Sequence, residues 1–140
     1  MRIEIPQEKK FVHESIIPIR WGDMDALGHV NNTVYFRYIE QARINWLDSY
    51  KLNIQRDGQG VVVVNAFCNF MKQITYPADL VIKTYIANPT RVGVDTFNLM
   101  SLTTDLDTVY AAGGATMVWV DFNAQKAISW PADMKEKFKI

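Results

Sequence analysis

The chain has 140 residues, of which 49% are hydrophobic and 21% are charged. This length and composition are typical of one folded domain with a substantial core, and they exclude a disordered chain. We therefore expect residues 1–140 to form a single domain. Lysine plus arginine equals aspartate plus glutamate, at 15 residues each, so the formal charge is zero. A neutral chain argues against nucleic acid as a main partner, because that binding depends on many phosphate contacts.

Cysteine content and hydropathy point to a cytoplasmic protein. The single cysteine, Cys68, lies in an apolar run and is interpreted as a buried, inert thiol. The N-terminal stretch carries acidic residues and lacks the apolar segment of a secretory signal. The longest uninterrupted apolar stretch, Val61 to Val64, is far too short to span a membrane. We expect a cytoplasmic location and no membrane partner.

The first half of the chain predicts one strand and one long helix. Residues 11–20 read as a strand, in which Pro18 indicates a sheet edge or a bulge. Residues 32–50 predict a helix of roughly 27 Å, and Asn31 and Asn32 offer an N-cap. The apolar residues of this segment recur at helical spacing and form one wide face: Val34, Tyr35, Tyr38, Ile39, Ala42, Trp46 and Leu47.

The second half predicts a curved sheet that envelops this helix. Four segments are rich in β-branched and aromatic residues: residues 61–75, 80–88, 92–104 and 108–122. Strands of this length predict strong curvature, and together with one apolar helix they indicate an α+β domain. Residues 135–139 predict a short terminal helix. Because long sheet edges are usually paired, we also expect a homodimer with a continuous sheet.

The segment from Arg20 to Arg43 carries the chemistry. Its irregular first part contains the carboxylates Asp23 and Asp25 and is followed by the predicted helix. A helix N-terminus offers free backbone N–H groups and a positive dipole, which can hold a developing oxyanion. A nearby carboxylate can activate water or attack directly. This combination suits acyl-transfer hydrolysis.

The same segment closely resembles the signature of the 4-hydroxybenzoyl-CoA thioesterase-like family of hotdog-fold acyl-CoA thioesterases. The matching residues are Asp23, Asp25, Gly28, His29, Val30, Asn31, Asn32, Tyr35 and Glu40. The resemblance implies a hotdog fold, in which a long curved antiparallel sheet wraps around one central helix. It implies hydrolysis of an acyl-CoA to a carboxylic acid and coenzyme A, with coenzyme A present only as part of the substrate and no other cofactor. It also implies obligate homodimers, often stacked into tetramers, with active sites at the dimer interface.

The resemblance also assigns roles to two residues of the motif. Asp25 matches the family's catalytic acid, either as a nucleophile that forms a mixed anhydride or as a general base that deprotonates water. From the residues alone, Asp25 could equally be a turn carboxylate that caps backbone N–H groups. The backbone N–H of Asn32 matches the donor aimed at the thioester carbonyl. Gly28 belongs to the same motif as these two residues.

Four further residues are candidate site residues. His29 could orient the loop or line the acyl pocket. Tyr35 is either core packing or a wall of that pocket. Glu40 could contact the partner's active-site loop or lie near the thioester. Arg91 stands in a turn where the family often places basic residues that contact the nucleotide of coenzyme A. The alternative reading is a turn residue that is simply solvated.

Other mechanisms find little support in the sequence. No Gly-x-Ser-x-Gly elbow is present, which leaves a serine triad unsupported, and two isolated histidines make a metal site improbable. Two alternatives remain open: an acyl-carrier-protein thioesterase, since both carriers offer the same pantetheine arm, and a non-catalytic acyl-CoA-binding module. The acid at position 25 disfavours the second alternative, because binding alone needs no carboxylate there.

Overall fold

A computed structural model describes all residues from Met1 to Ile140. Two α-helices are present, α1 (Val34–Ser49) and α2 (Ala132–Phe138), and a short 3-10 turn covers Trp21–Asp23. The strands, in chain order, are β1 (Lys10–Pro18), β2 (Gln55–Arg56), β3 (Gln59–Phe70), β4 (Asp79–Ala87), β5 (Gly93–Leu102), β6 (Ala111–Asp121) and β7 (Lys126–Ala127). Neither helix has the length and apolar character needed to cross a lipid bilayer.

All seven strands belong to one antiparallel sheet. Its order is β1-β4-β5-β6-β3-β2, and β7 pairs with the end of β6. The central strands pair over nearly their full length, and one irregularity interrupts the β3–β6 register between Val63 and Asn65. Helix α1 contacts β1, β4 and β3, so the sheet curls around it. The predicted α+β architecture, a curved sheet around one helix, is confirmed.

The core lies between α1 and the concave face of the sheet and consists of two clusters. The first surrounds the N-terminal half of α1 and includes Tyr35, Tyr38 and Ile39. The second surrounds the C-terminal half and contains Trp46, with aromatic partners from β6 and α2. All six residues of α1 that are buried belong to the apolar face predicted from the sequence.

Several element bounds differ from the predictions. Helix α1 begins at Val34 instead of residue 32, and the residue before it, Thr33, makes no side-chain capping bond. Asn31 supplies the cap instead, because its Oδ1 accepts the Thr33 N–H at 2.9 Å. Strand β3 ends at Phe70, since the chain then turns to meet the loop ahead of α1. Helix α2 begins at residue 132, directly after Pro131, whose φ of −58° suits a helix start.

The two edges of the sheet are of different kinds. Strand β1 forms one edge and ends at Pro18, in agreement with the edge position predicted from that proline. At the other edge, β2 pairs only with Gln59 and Gly60, the first two residues of β3. The remainder of β3 therefore has a β6 partner on one side and no strand on the other.

Candidate active site

The loop ahead of α1 is a tight hairpin that presents Asp25. A bridge between Met24 and Val30 closes the loop, and the Asp25 N–H donates to the His29 carbonyl at 3.0 Å. The Gly28 N–H donates to the Asp25 carbonyl at 3.0 Å. Gly28 has a φ of +80°, a left-handed conformation that favours glycine at this place in a hairpin loop. Asp25 is thereby held as the first residue of the turn, and its side chain is exposed.

Both carboxylate oxygens of Asp25 are held by neighbouring donors. Oδ1 accepts the Leu27 N–H at 2.9 Å, and Oδ2 accepts the side-chain amide of Asn31 at 3.2 Å. The role of a turn carboxylate, one of the two readings of this residue, is therefore present. A carboxylate has about four acceptor sites, so each oxygen retains capacity for a water or a substrate.

The backbone N–H of Asn32 is a free donor in a segment where the neighbouring donors are used. The Asn31 N–H donates to the Asp23 carbonyl at 3.0 Å. The Thr33 N–H donates to the Asn31 side chain, and the Val34 N–H donates to the Asn31 carbonyl at 2.9 Å. The N–H of Asn32 has no acceptor within the protein. It lies just ahead of α1, where the helix dipole favours negative charge.

A cavity of about 310 Å³ brings several predicted site residues together. Asp25, His29, Asn32 and Tyr35 all line it. The other lining residues are Leu27, Val30, Phe70, Met71, Lys72 and Gln73. The cavity thus joins a carboxylate, a free backbone donor and a mainly apolar wall.

Tyr35 serves both the core and the cavity. Its side chain is buried, and its ring packs edge-on against Phe70 with centroids 4.9 Å apart. Burial, and then the nearby thiol of Cys68, raise the pKa of Tyr35 to about 12. The hydroxyl is therefore neutral at physiological pH, and no protein group bonds to it. It remains available to a polar atom in the cavity.

Asp23 fixes the loop to the helix. Its Oδ2 accepts the Arg20 N–H at 3.0 Å and the Tyr38 hydroxyl at 2.7 Å. Burial first, and then the bond to Asp23, raise the pKa of Tyr38, so this hydroxyl stays a donor. Because Tyr38 is on α1 and Asp23 precedes the hairpin, their bond sets the position of the loop relative to the helix.

Three other residues singled out in the sequence lie outside this cavity. Glu40 is exposed and pairs with Arg37 at 2.9 Å. Arg91 donates to the hydroxyl of Ser129 at 2.9 Å, in a turn near α2. Cys68 is half-buried, and burial raises the pKa of its thiol to about 12, as expected for an inert cysteine. No group of three or more His, Cys, Asp or Glu side chains is placed to hold a metal ion.

The wall contributed by residues 70–73 was not predicted from the sequence. This segment follows β3 and reaches the site because the Val30 N–H donates to the Ile74 carbonyl at 2.8 Å. The Lys72 N–H is also anchored, to the Tyr110 carbonyl at 3.0 Å. Lys72 supplies the one basic side chain of the cavity wall. No local pattern marks these residues, because their position depends on contacts between distant parts of the chain.

Comparison with known proteins identifies the family. Residues 19–138 match the Thioesterase-like superfamily, which is most of the chain. The chain belongs to the Thioesterase-like superfamily. It is a thioester hydrolase of hotdog fold. The family and the fold expected from the Asp25 motif are thus confirmed.

Relatives of this thioesterase come from distant organisms. Protein YsmA of Bacillus subtilis is 28% identical over 121 residues, covering 86% of this chain and 80% of YsmA. The structure of PA2801 from Pseudomonas aeruginosa superposes with a TM-score of 0.85 at 29% identity, covering 91% of this chain and 98% of the other. The chloroplastic acyl-acyl carrier protein thioesterase ATL3 of Arabidopsis thaliana is 23% identical over 129 residues, covering 90% of this chain and 67% of ATL3.

Proposed function

We propose that this thioesterase hydrolyses an acyl-CoA to a carboxylic acid and free coenzyme A, with Asp25 as the reacting carboxylate. The observation that carries the proposal is the free N–H of Asn32 in the same cavity as Asp25. An oxyanion donor and a carboxylate together suffice for hydrolysis of a thioester, because the carboxylate can attack or activate water and the donor stabilises the oxyanion. A module that only binds acyl-CoA would need neither of them.

Two routes are consistent with this arrangement. As a nucleophile, an oxygen of Asp25 adds to the thioester carbonyl, the C–S bond breaks, and coenzyme A leaves as a thiolate that takes up a proton. Water then hydrolyses the mixed anhydride and regenerates the carboxylate. As a general base, Asp25 instead takes a proton from the water that attacks the carbonyl, the C–S bond then breaks, and the coenzyme A thiolate takes up that proton. In both routes the Asn32 N–H stabilises the charge on the carbonyl oxygen, and neither route needs a metal or redox cofactor.

The acyl group would occupy the cavity, with the carrier arm leading to solvent. Tyr35 and Phe70 offer an apolar wall for the acyl chain. His29 also lines the cavity, and its ring makes no hydrogen bond within the protein. Lys72 is the one lysine or arginine that lines the cavity, and its ammonium group lies 5.3 Å from the centroid of the Tyr110 ring. A role for Arg91 in binding the nucleotide, and a role for Glu40, stay predictions. The cytoplasmic location also stays a prediction.

An acyl-carrier-protein thioesterase is the second candidate. The similarity to ATL3 favours it, since that relative is an acyl-acyl carrier protein thioesterase. Both carriers present the acyl group on the same pantetheine arm, so the chemistry at Asp25 would be unchanged. The two candidates differ only in what the protein surface around the cavity must bind.

The test is a hydrolysis assay that monitors free thiol over a panel of substrates. The panel pairs each acyl group, from short aliphatic to aromatic, on coenzyme A and on acyl carrier protein. We expect turnover of at least one acyl-CoA by the wild type and none above background by Asp25→Asn. Preference for the acyl carrier protein would select the second candidate. Binding of acyl-CoA without any turnover would contradict the proposal.

We also propose a homodimer, formed by pairing of the open β3 edges. Val63 and Val64 are exposed along this edge, with 40% and 58% of their surface accessible. Such an edge exposes unpaired backbone groups and is usually covered. Beside it, Nη1 of Arg43 is buried without an acceptor, in a small cavity also lined by Val61 and Val63. A carbonyl or carboxylate from a second subunit would satisfy this donor.

Sedimentation at micromolar concentration tests the assembly. We expect a dimer or a tetramer and no monomer. Introducing like charges with Val64→Lys should release monomers, whereas Ile16→Lys on the opposite edge strand should leave β3 pairing intact. An active monomer would contradict both the interface and a shared active site.

A further inference from the structure

A second cavity lies on the face of the sheet that points away from α1. Its volume is about 720 Å³, more than twice that of the Asp25 cavity, and the two cavities share no residue. The N-terminal segment, residues 3–7, forms one wall. This segment is fixed to β3, because Nδ2 of Asn69 donates to the Ile3 carbonyl at 2.6 Å and Oδ1 accepts the Ile3 N–H at 3.4 Å.

The floor of this cavity is apolar and aromatic. Phe67 of β3 and Phe97 of β5 meet edge to face, with centroids 6.2 Å apart. Between them runs β6, where Gly114 leaves room for both rings: a Cβ there would come within 2.9 Å of the Phe67 ring and 3.0 Å of the Phe97 ring. Thr116 of β6 and Asn65 of β3 also line the cavity. The result is an aromatic floor in which Phe97 is buried and Phe67 is partly exposed.

One end of the cavity carries an acid with no cationic partner. Oδ2 of Asp95 accepts the amide of Asn88 at 2.8 Å, and Oδ1 accepts the hydroxyl of Thr116 at 2.7 Å. Both donors are neutral, and the two ion pairs of the protein lie elsewhere. Glu4 adds a second acid to the lining, which contains no lysine, arginine or histidine. Neither acid therefore forms an ion pair within the protein.

We propose that this cavity binds a small organic cation, an ammonium group on an apolar or aromatic body. The ammonium would donate to Asp95, whose oxygens retain acceptor sites, and charge-assisted bonds of this kind are the strong ones. The body would lie on Phe67 and Phe97, whose ring faces also attract cations. Anions, including an acyl-CoA, are disfavoured by Asp95 and Glu4, so this site is distinct from the site of thioester hydrolysis.

Calorimetry with three matched probes tests the charge requirement. The probes are 2-phenylethylammonium, the neutral 2-phenylethanol and the anionic 3-phenylpropionate, which share the aromatic body. We expect the ammonium to bind at least tenfold more tightly than the alcohol, and the carboxylate not to bind. Amide NMR shifts caused by the ammonium should fall on residues 3–7 and on β3, β5 and β6. Equal binding of all three probes, no binding at millimolar concentration, or shifts elsewhere would overturn the proposal.

Matched variants test the two halves of the site. Asp95→Asn keeps an acceptor for the Asn88 amide, and its NH2 group can donate to the Thr116 hydroxyl, which also accepts. The substitution removes the charge and should weaken ammonium binding about tenfold while leaving the alcohol unaffected. Asp107→Asn, an exposed acid in the loop between β5 and β6, should change neither. Thioester hydrolysis should stay at the wild-type rate in Asp95→Asn, so failure at this site is distinguishable from failure of the proposed reaction. Undiminished ammonium binding by a folded Asp95→Asn would overturn the assignment.

Discussion

The two ends of helix α1 lie in environments of opposite character. The N-terminal end carries Tyr35, which lines the Asp25 cavity, and Tyr38, whose hydroxyl donates to Asp23. The C-terminal end carries Trp46, which packs on Phe138 with ring centroids 5.1 Å apart inside a closed apolar cluster. At the first end, the Asn32 N–H and the Tyr35 hydroxyl make no hydrogen bond within the protein and lie in residues that line a cavity. The second end is closed by large side chains, and even the indole N–H groups of Trp46 and Trp130 are buried there without an acceptor. We therefore expect substitutions at the first end to change reactivity and substitutions at the second end to change stability.

The largest expected effect is a loss of catalytic rate at the N-terminal end of α1. Asp25→Asn keeps an acceptor for the Leu27 N–H but can neither attack a thioester nor take a proton from water. We expect kcat to fall by about 10²–10⁴, with the thermal midpoint nearly unchanged. Asp48→Asn, an exposed acid near the other end of α1, serves as the control and should retain full activity. Activity of Asp25→Asn near the wild-type level would place the reacting carboxylate elsewhere.

The matching test at the C-terminal end of α1 should change the stability of the protein instead of its catalytic rate. Phe138 is fully buried against Trp46 and Trp130, so Phe138→Ala removes a large side chain that the neighbours cannot replace. We expect a loss of about 3–5 kcal/mol in the free energy of unfolding, measured by urea denaturation. Phe122→Ala, at an exposed phenylalanine, should cost far less. If the folded fraction of Phe138→Ala were also catalytically impaired, the two ends would not be independent.

The third prediction separates backbone from side chain at Asn32. The side chain makes no hydrogen bond within the protein, so Asn32→Ala should lower the rate by less than about tenfold. Asn32→Pro removes the N–H, and kcat should drop by about 10²–10³, the loss expected for one oxyanion donor. Circular dichroism must show an unchanged fold.

A backbone ester between residues 31 and 32 makes the same deletion without the proline ring. It should reproduce the effect of proline on the rate. Equal damage from alanine and from the ester would assign the role to the side chain, and little damage from either would mean that another group holds the oxyanion.

The smallest effect concerns alkaline pH. An unfolded tyrosine ionises near pH 10, whereas the pKa of Tyr35 in the folded protein is raised to about 12, so the unfolded state loses its proton first. The contribution of the Tyr35 hydroxyl to the free energy of unfolding is complete below pH 10. It declines by about 2–3 kcal/mol as the pH rises to 12. Tyr35→Phe should make this decline less steep. The decline should not vanish, because Tyr38 also contributes to it. Tyr76→Phe, at an exposed tyrosine, is the control, and equal slopes in all three proteins would contradict the burial of the Tyr35 hydroxyl.

Local patterns predicted the elements whose side-chain spacing is regular over many residues. The face of α1 was recognised because Tyr35, Ile39 and Ala42 recur at helical spacing, and the long strands because β-branched residues dominate them. Strands β2 and β7 were missed, since two residues carry no period and become strands only by pairing with a neighbour. The extension of β3 to residue 75 was wrong for a related reason: Ile74 is apolar, but its carbonyl serves the loop at Val30.

By itself, the sequence determined the fold class, because helical and strand spacing recur along the chain. It also determined the motif that places Asp25, Gly28 and Asn32 at the start of one helix, because these residues lie within a short stretch of chain. The family resemblance already pointed to the backbone N–H of Asn32, and the structure shows why this donor is free. The Asn31 N–H is used by Asp23, and Thr33 is capped by the Asn31 side chain, which leaves Asn32. The structure alone brought Lys72 into the lining of the Asp25 cavity, and Asp95 and Phe67 into the lining of one cavity on the other face of the sheet. These groupings depend on how the sheet closes around α1, and sequence spacing contains no information about contacts between strands that pair far apart in the chain.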